Sequence, residues 1–397
     1  VVQLSATRKR RPVVASAAIS GVSHSRGILA VTPSLTFRGR VQHAIQHAEF
    51  DEETTMRLSA YLLALSLVAV PALANDTTAQ LGAGGLGFVN SQNIEMASEH
   101  LFVSPSQIKV VYEFNNTSSE DQHVLVAFPM PDVEGGPDTM IDVPSSRAEG
   151  QDPSNLFGFE TSFNGTPVAA SLYQYAFRNN VDYSADLKAA NIPLAPFGAE
   201  TQTALNALPE VDLAKLSHLG LVDIMEYDAG NGPQVDHTPA WTLRSTYTWE
   251  ATFPPGVSEV IHTYTPSVGG TVATTFMPQD GDAESEARFA EYQQRYCVDD
   301  NLVASLEKAA IPADGYTNYP YVESWLSYIW STGNNWAGPI GKFTLTVDKE
   351  DPDALASFCG ENVKKTGATT FEMTATDWSP PYDQELEILL LRPVDWY

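Results

Sequence analysis

Beyond residue 75 the chain has five histidines, His100, His123, His218, His237 and His262, and none stands in an HExxH or other metal-ligand spacing. His262 follows Val260 and Ile261 in an alternating run and reads as a structural histidine on a strand. No GxSxG elbow, P-loop or GxGxxG is present, so serine-hydrolase, nucleotide and dinucleotide chemistry lose their usual supports. The glycine-rich stretch 82–87 follows no strand pattern and opens no helical one, so it reads as a flexible segment rather than a phosphate loop. Carboxylates are plentiful, and two facing each other in a cleft would suit glycoside hydrolysis, but the spacing singles out no pair. The acidic run 280–286 lacks the regular acid spacing and final Glu of an EF-hand loop. It reads as a solvated loop entering a helix, with Glu284 and Glu286 at the positive end. No catalytic, cofactor-binding or metal-ligating residue is assigned, and no cofactor is expected.

The densest set of recognition-type side chains lies in residues 325–341, where Tyr328, Trp330 and Trp336 are interleaved with Asn334 and Asn335. Such a strip suits sugar stacking or a protein partner. It equally suits a core strand, a tight turn and the next strand, with tryptophans filling a sandwich interior. Exposed indole faces mark the first arrangement and buried ones the second.

The elements that must position these residues are mostly strands. Alternating, β-branched and aromatic runs fall at 107–114 and 123–129, joined by a polar turn at 115–119 that suggests a hairpin. A second hairpin is expected from 157–163, Asn164-Gly165 and 167–177. Further strands are expected at 242–253, 258–265, 271–276, 321–330, 341–347, 369–375 and 385–391. Two stretches carry apolar residues at helical spacing, 199–221 and 284–310. The expected fold is mainly β, with β-sandwich-like antiparallel sheets and two helical insertions in one domain over 75–397.

Ahead of that domain, residues 56–74 read as a secretory signal: Met56, Arg57, an apolar stretch of 13 residues, Pro71, and the small Ala72-Leu73-Ala74 site before Asn75. Cleavage is expected between Ala74 and Asn75, with export to the periplasm or beyond the cell. Residues 1–55 read as a disordered leader from a misassigned upstream start, or alternatively as a transit peptide. No later stretch reaches 18 apolar residues, so no transmembrane helix is expected after Asn75. The cysteines, Cys297 and Cys359, both lie in the exported part, where an oxidising compartment favours a disulfide.

The chain has 22 basic and 49 acidic residues, a net charge of −27. Residues 1–74 hold eight of the basic residues and four of the acids, which leaves 75–397 at −31. That balance disfavours nucleic acid and anionic membrane surfaces as partners.

Read together, several motifs resemble a family of exported bacterial proteins, domain of unknown function 4424. They are Asn75-Asp76-Thr77-Thr78-Ala79 with Leu81 and Gly84-Gly85-Leu86; Val111-Tyr112-Glu113-Phe114-Asn115-Asn116; Val126-Ala127-Phe128-Pro129-Met130-Pro131; and residues 331–341 from Ser331 to Gly341. Residues 357–360 are similar to the family's second-cysteine pattern. The resemblance covers nearly all of 75–397 and implies location without a mechanism. The function expected is a non-enzymatic binding or structural role in the envelope, with a protein or glycan as ligand. The alternative is a carbohydrate-active hydrolase with an unpatterned carboxylate pair.

Overall fold

Alternation of buried and exposed side chains organises the computed structural model, which describes residues 75–82, 85–136, 141–142, 155–228, 230, 232–279, 282–313 and 316–394. The leader 1–55, the signal segment with Ala72 and Ala74, and residues 280–281 of the acidic loop lie outside the described residues. Contacts divide the chain between Ala69 and Val70, and every described residue belongs to the second unit.

The chain opens with β1 (Thr77–Gly82), β2 (Gly85–Val89), β3 (Ile94–Val103), β4 (Ile108–Asn116) and β5 (Gln122–Pro129), then the short β6 (Val133–Glu134) and β7 (Ile141–Asp142). It continues through β8 (Glu160–Phe163), β9 (Thr166–Val168), β10 (Ser171–Arg178) and β11 (Val181–Asp182) to helices α1 (Ser184–Ala189), α2 (Ala199–Asn206) and α3 (Glu210–His218). Strands β12 (Val222–Asp228), β13 (Pro233–Pro239), β14 (Thr242–Phe253), β15 (Gly256–Tyr264) and β16 (Val268–Gly270) lead to helices α4 (Ala283–Tyr296) and α5 (Asp300–Ala309). The last strands are β17 (Ile311–Ala313), β18 (Tyr316–Asn318), β19 (Tyr321–Tyr328), β20 (Ile340–Asp348), β21 (Leu355–Phe358), β22 (Lys364–Lys365), β23 (Thr370–Trp378) and β24 (Leu386–Pro393). A 3₁₀ turn, Ser331–Asn335, joins β19 towards β20.

Among the described residues these strands form three main sheets. The first runs β11-β10-β14-β5-β1-β2 with β6 on β14; the second runs β22-β23-β20-β3-β4-β15-β8-β9; the third runs β21-β24-β19-β16-β7. The first two sheets share one apolar core, to which β5 gives Val126 and Phe128, β14 gives Trp249 and Phe253, and β4 gives Tyr112 and Phe114. Each such side chain contributes about 2 kcal/mol by leaving water. Strand β24 shows why its sequence is continuously apolar. Leu386, Ile388 and Leu390 face the main core, while Leu389 and Leu391 face a second core built with Tyr292 and Tyr296 of α4 and Leu302 and Leu306 of α5. The third sheet is therefore covered on both sides.

The fold is mainly β, with several antiparallel sheets and helical insertions, as expected. One ladder departs from that pattern: β20 lies parallel to β3. The first expected hairpin does not form, because β4 belongs to the second sheet and β5 to the first. Asn116 Nδ2 bonds to the Glu120 carbonyl at 2.8 Å and the Phe253 carbonyl at 2.9 Å, steering the chain from one sheet to the other. The Asn164-Gly165 hairpin does form between β8 and β9, with φ of 48° and 75° as a type I′ turn requires. It is shorter than expected, because the chain then crosses to β10 in the first sheet. Residues 271–276 are not a strand; Thr275 N bonds instead to the Glu323 carboxyl and Phe276 enters the second core. Each expected helical stretch is broken in two, the first at Pro209 before α3 and the second at Cys297, whose φ of 55° ends α4.

Candidate functional site

A β-bulge prepares the first site. The register of β3 against β4 shifts between Met96 and Ser98, so the buried parity changes from Ile94 and Met96 to Glu99, Leu101 and Val103. The bulge thereby turns a carboxyl into the core. Gly341 on β20 makes room for it, since a Cβ there would stand 2.7 Å from the Ala97 carbonyl oxygen.

Residues 75–77, entering β1, are buried beside Glu99. Asn75 N donates to Thr332 Oγ1, and the same hydroxyl donates back to the Asn75 carbonyl at 2.6 Å. Asn75 Nδ2 reaches Glu99 Oε2 at 3.0 Å and the Trp330 carbonyl at 3.4 Å. The Tyr112 hydroxyl donates to Asn75 Oδ1 and lies 2.9 Å from the Tyr328 hydroxyl, which donates to Glu99 Oε1 at 3.2 Å. Both Asp76 carboxyl oxygens lie 3.0 Å from His262 Nε2, inside a ring of Tyr112, Phe128, Phe159 and Trp249. His262 Nδ1 is buried with no partner among the described residues.

Burial dominates the electrostatics here. It pushes the Glu99 carboxyl up to about 8, against the Asn75 and Tyr328 hydrogen bonds, with the Asp76 charge adding to the rise. Burial also raises Asp76, opposed by His262. The Tyr112 and Tyr328 hydroxyls are pushed well above the usual phenol range by the same loss of water. With these side chains enclosed, the cluster offers no route for a substrate.

The aromatic strip is part of this enclosure and not an exposed platform. Tyr328, Trp330 and Trp336 are 1%, 4% and 3% exposed. Trp336 donates its indole N–H to the Asp76 carbonyl and packs, tilted, with its ring centroid 4.4 Å from that of Phe114; Trp330 donates to the Gln384 carbonyl at 2.7 Å and packs against Trp378. Asn335 Nδ2 holds Thr77 Oγ1 at 2.9 Å, while Asn334 Nδ2 closes the turn on the Ser331 and Pro380 carbonyls, each at 2.9 Å. The physical reason is the alternation along β19, which places Tyr328 inward, followed by a 3₁₀ turn that folds back over residues 75–77. Asn75 and the strip, far apart in sequence, thus form one unit.

The strip's partly buried aromatic is Trp325, which packs against the second core and which the strip's composition alone did not distinguish. Strand parity is the signal: 325 and 327 are half-buried where 326 and 328 are buried. Its indole lies over Gly269 of β16, where a Cβ would overlap the ring. It lines a groove of about 560 Å³ with Asp132, Arg288, Glu291, Tyr292 and Arg295. Three of the charges there are held in pairs, Asp132 with Arg244 at 2.8 Å, Arg288 with Glu284 at 3.1 Å and Arg295 with Glu387 at 2.8 Å, and Glu134 also lines the groove. A larger hollow of about 880 Å³ beside β8–β10 is lined by small side chains such as Ala169, Ala170 and Ser171, with Glu160 as the carboxylate among its described lining residues. Cys297 and Cys359 are joined in a disulfide linking the end of α4 to the end of β21. Among the described residues no group of three or more His, Cys, Asp or Glu is placed to hold a metal ion, and no helix is long and apolar enough to cross a membrane.

Residues 74–389 match the family model described as Domain of unknown function (DUF4424). No curated protein matches the sequence. Among solved structures, a candidate nutrient binding protein from Legionella pneumophila is similar at 14% identity and a TM-score of 0.37, over 80% of this chain and 70% of that one.

Proposed function

We propose that this chain, which belongs to the DUF4424 family, is an exported protein of the bacterial periplasm or cell surface that binds an envelope glycan in the groove beside Trp325. The partly buried indole over Gly269, which lines the groove, carries the binding reading. An aromatic face backed by glycine, between guanidinium and carboxyl groups already paired with one another, offers stacking and fixed hydrogen-bond partners without a concentrated charge. That combination suits a neutral saccharide better than a phosphate. The Cys297–Cys359 disulfide and the segment 56–74 support export.

The hydrolase alternative gains no support from the strip. The carboxyl in contact with Trp330 is Glu385, which is taken up by the Trp330 and Ser331 amides and the Ser331 hydroxyl, and Asp76 and Glu99 behind the strip are enclosed.

Titration with N-acetylglucosamine-containing oligosaccharides, followed by tryptophan emission, tests the binding site. Saturable quenching that Trp325→Ala removes is the expected result. No saccharide response, or one indifferent to Trp325→Ala, overturns the reading.

A further inference from the structure

Among the described partners of Glu99 there is no basic side chain. The enclosure around Asn75 holds two carboxyls, Asp76 and Glu99, and one imidazole, His262, which is committed to Asp76. Among the described residues the phenols Tyr112 and Tyr328 also face it, with the buried Tyr264 beside Tyr328. Against Glu99 stands Asn75, whose own main-chain nitrogen is held by the Thr332 hydroxyl. Around that residue the acceptors are Thr332 Oγ1, Glu99 Oε2 and the Trp330 carbonyl. The 3₁₀ turn is shaped to it, because a Cβ on Gly333 would stand 2.9 Å from Asn75 Nδ2.

We propose that this enclosure is a seat for a free α-ammonium group on Asn75, so that removal of the leader after Ala74 supplies the cation that Glu99 lacks and completes the core. The proposal rests on the export reading. In the cleavage, water adds across the Ala74–Asn75 peptide bond on a signal peptidase, leaving a carboxylate on Ala74 and an ammonium on Asn75. A peptide nitrogen has one hydrogen for this site, and the Thr332 hydroxyl takes it. An ammonium has three and carries a charge, and the Glu99 carboxylate, which Asn75 Nδ2 reaches at 3.0 Å, stands in the same enclosure as its counter-charge. The cost of burying Glu99 as a charge is then offset by an opposite charge in the same enclosure. The strip of residues 331–336 becomes the receptor for the mature chain's first three residues.

Both apolar cores are built from residues after 75, so the test uses residues 75–397. One form begins at Asn75 and the other retains Ala-Leu-Ala before it. The α-amine of the first is expected to be methylated by formaldehyde and borohydride at least about tenfold more slowly in the native than in the denatured state, as a buried group requires. The extended form is expected to melt at lower temperature, and Thr332→Val to shrink that difference; Thr332→Ser, which keeps the hydroxyl, is expected to restore it. An α-amine that reacts equally in both states, or equal melting of the two forms, overturns the seat. N-terminal sequencing of the protein recovered from an exporting host separates this from the export reading. A start elsewhere than Asn75 overturns that reading, whereas a start at Asn75 with a reactive amine overturns the seat alone.

Discussion

Both carboxyl oxygens of Asp76 stand 3.0 Å from Nε2 of His262, and both side chains are closed off from solvent. Such a pair has paid its desolvation in full, so removing one member leaves the other buried without a partner. His262→Leu is expected to destabilise the protein by about 3–5 kcal/mol. Adding Asp76→Asn removes the orphaned charge, and the double variant is expected to lose less than the sum of the singles, with a coupling of at least about 1 kcal/mol. Urea unfolding of the four proteins measures it, and additive losses would show that the contact carries no energy of its own.

In the chain that retains the residues before Asn75, and so has no ammonium in the enclosure, the Glu99 carboxyl has its ordinary value of 4.5 unfolded and about 8 in the fold. Between those values the folded state holds the extra proton. Stability from this group is therefore full below pH 4.5, falls as pH rises towards 8, and is level above it, with a slope of up to about 1.4 kcal/mol per pH unit. Asp76, Glu323 and Glu385 are also raised by burial, so the profile is composite. Glu99→Gln isolates one contribution: the variant's profile is expected to be flatter across this window. Parallel profiles for the two proteins would place Glu99 in contact with water.

How far these features could be read from the residues depends on how local their causes are. The Asn164-Gly165 turn and the two-sided strand Leu386–Pro393 are written in local composition, because φ preference and side-chain period act within a few residues. The hairpin expected between 107–114 and 123–129 fails because which sheet a strand joins is decided by partners far along the chain, here Phe253 and its neighbours holding Asn116. The strip 325–341 was visible as unusual, but its burial was not: one register step on β19 separates the enclosed Tyr328 from the partly buried Trp325. The bulge at Ala97 that turns Glu99 inward has no local signature other than Gly341, which lies on another strand.

The Cys297–Cys359 bond closes a loop with a sequence separation of 62. Chain entropy assigns such a closure roughly 4 kcal/mol. Because Cys297 ends α4 and Ser357 on β21 bonds to the Tyr296 carbonyl at 3.0 Å, reduction should loosen the second core before the first. Hydrogen exchange of the Cys297→Ser/Cys359→Ser variant is expected to speed up in α4 and α5 while β4 and β14 stay protected. Uniform acceleration across both cores would contradict this order.

Gly269 is flanked in its sheet by Trp325 of β19 and Ile141 of β7, so its backbone cannot retreat from the indole above it. A methyl group on Gly269 overlaps that ring. The partly buried indole is then the part that must give, and moving it takes away the stacking face of the groove. Gly269→Ala is therefore expected to cost about 1–3 kcal/mol and to shift tryptophan emission to the red. Saccharide affinity should fall with it. In a Trp325→Ala background the ring is gone, and the same methyl should cost less than it does in the parent. A Gly269→Ala penalty that persists undiminished in that background would mean that the glycine serves the sheet and not the indole, and the groove would lose its architectural support.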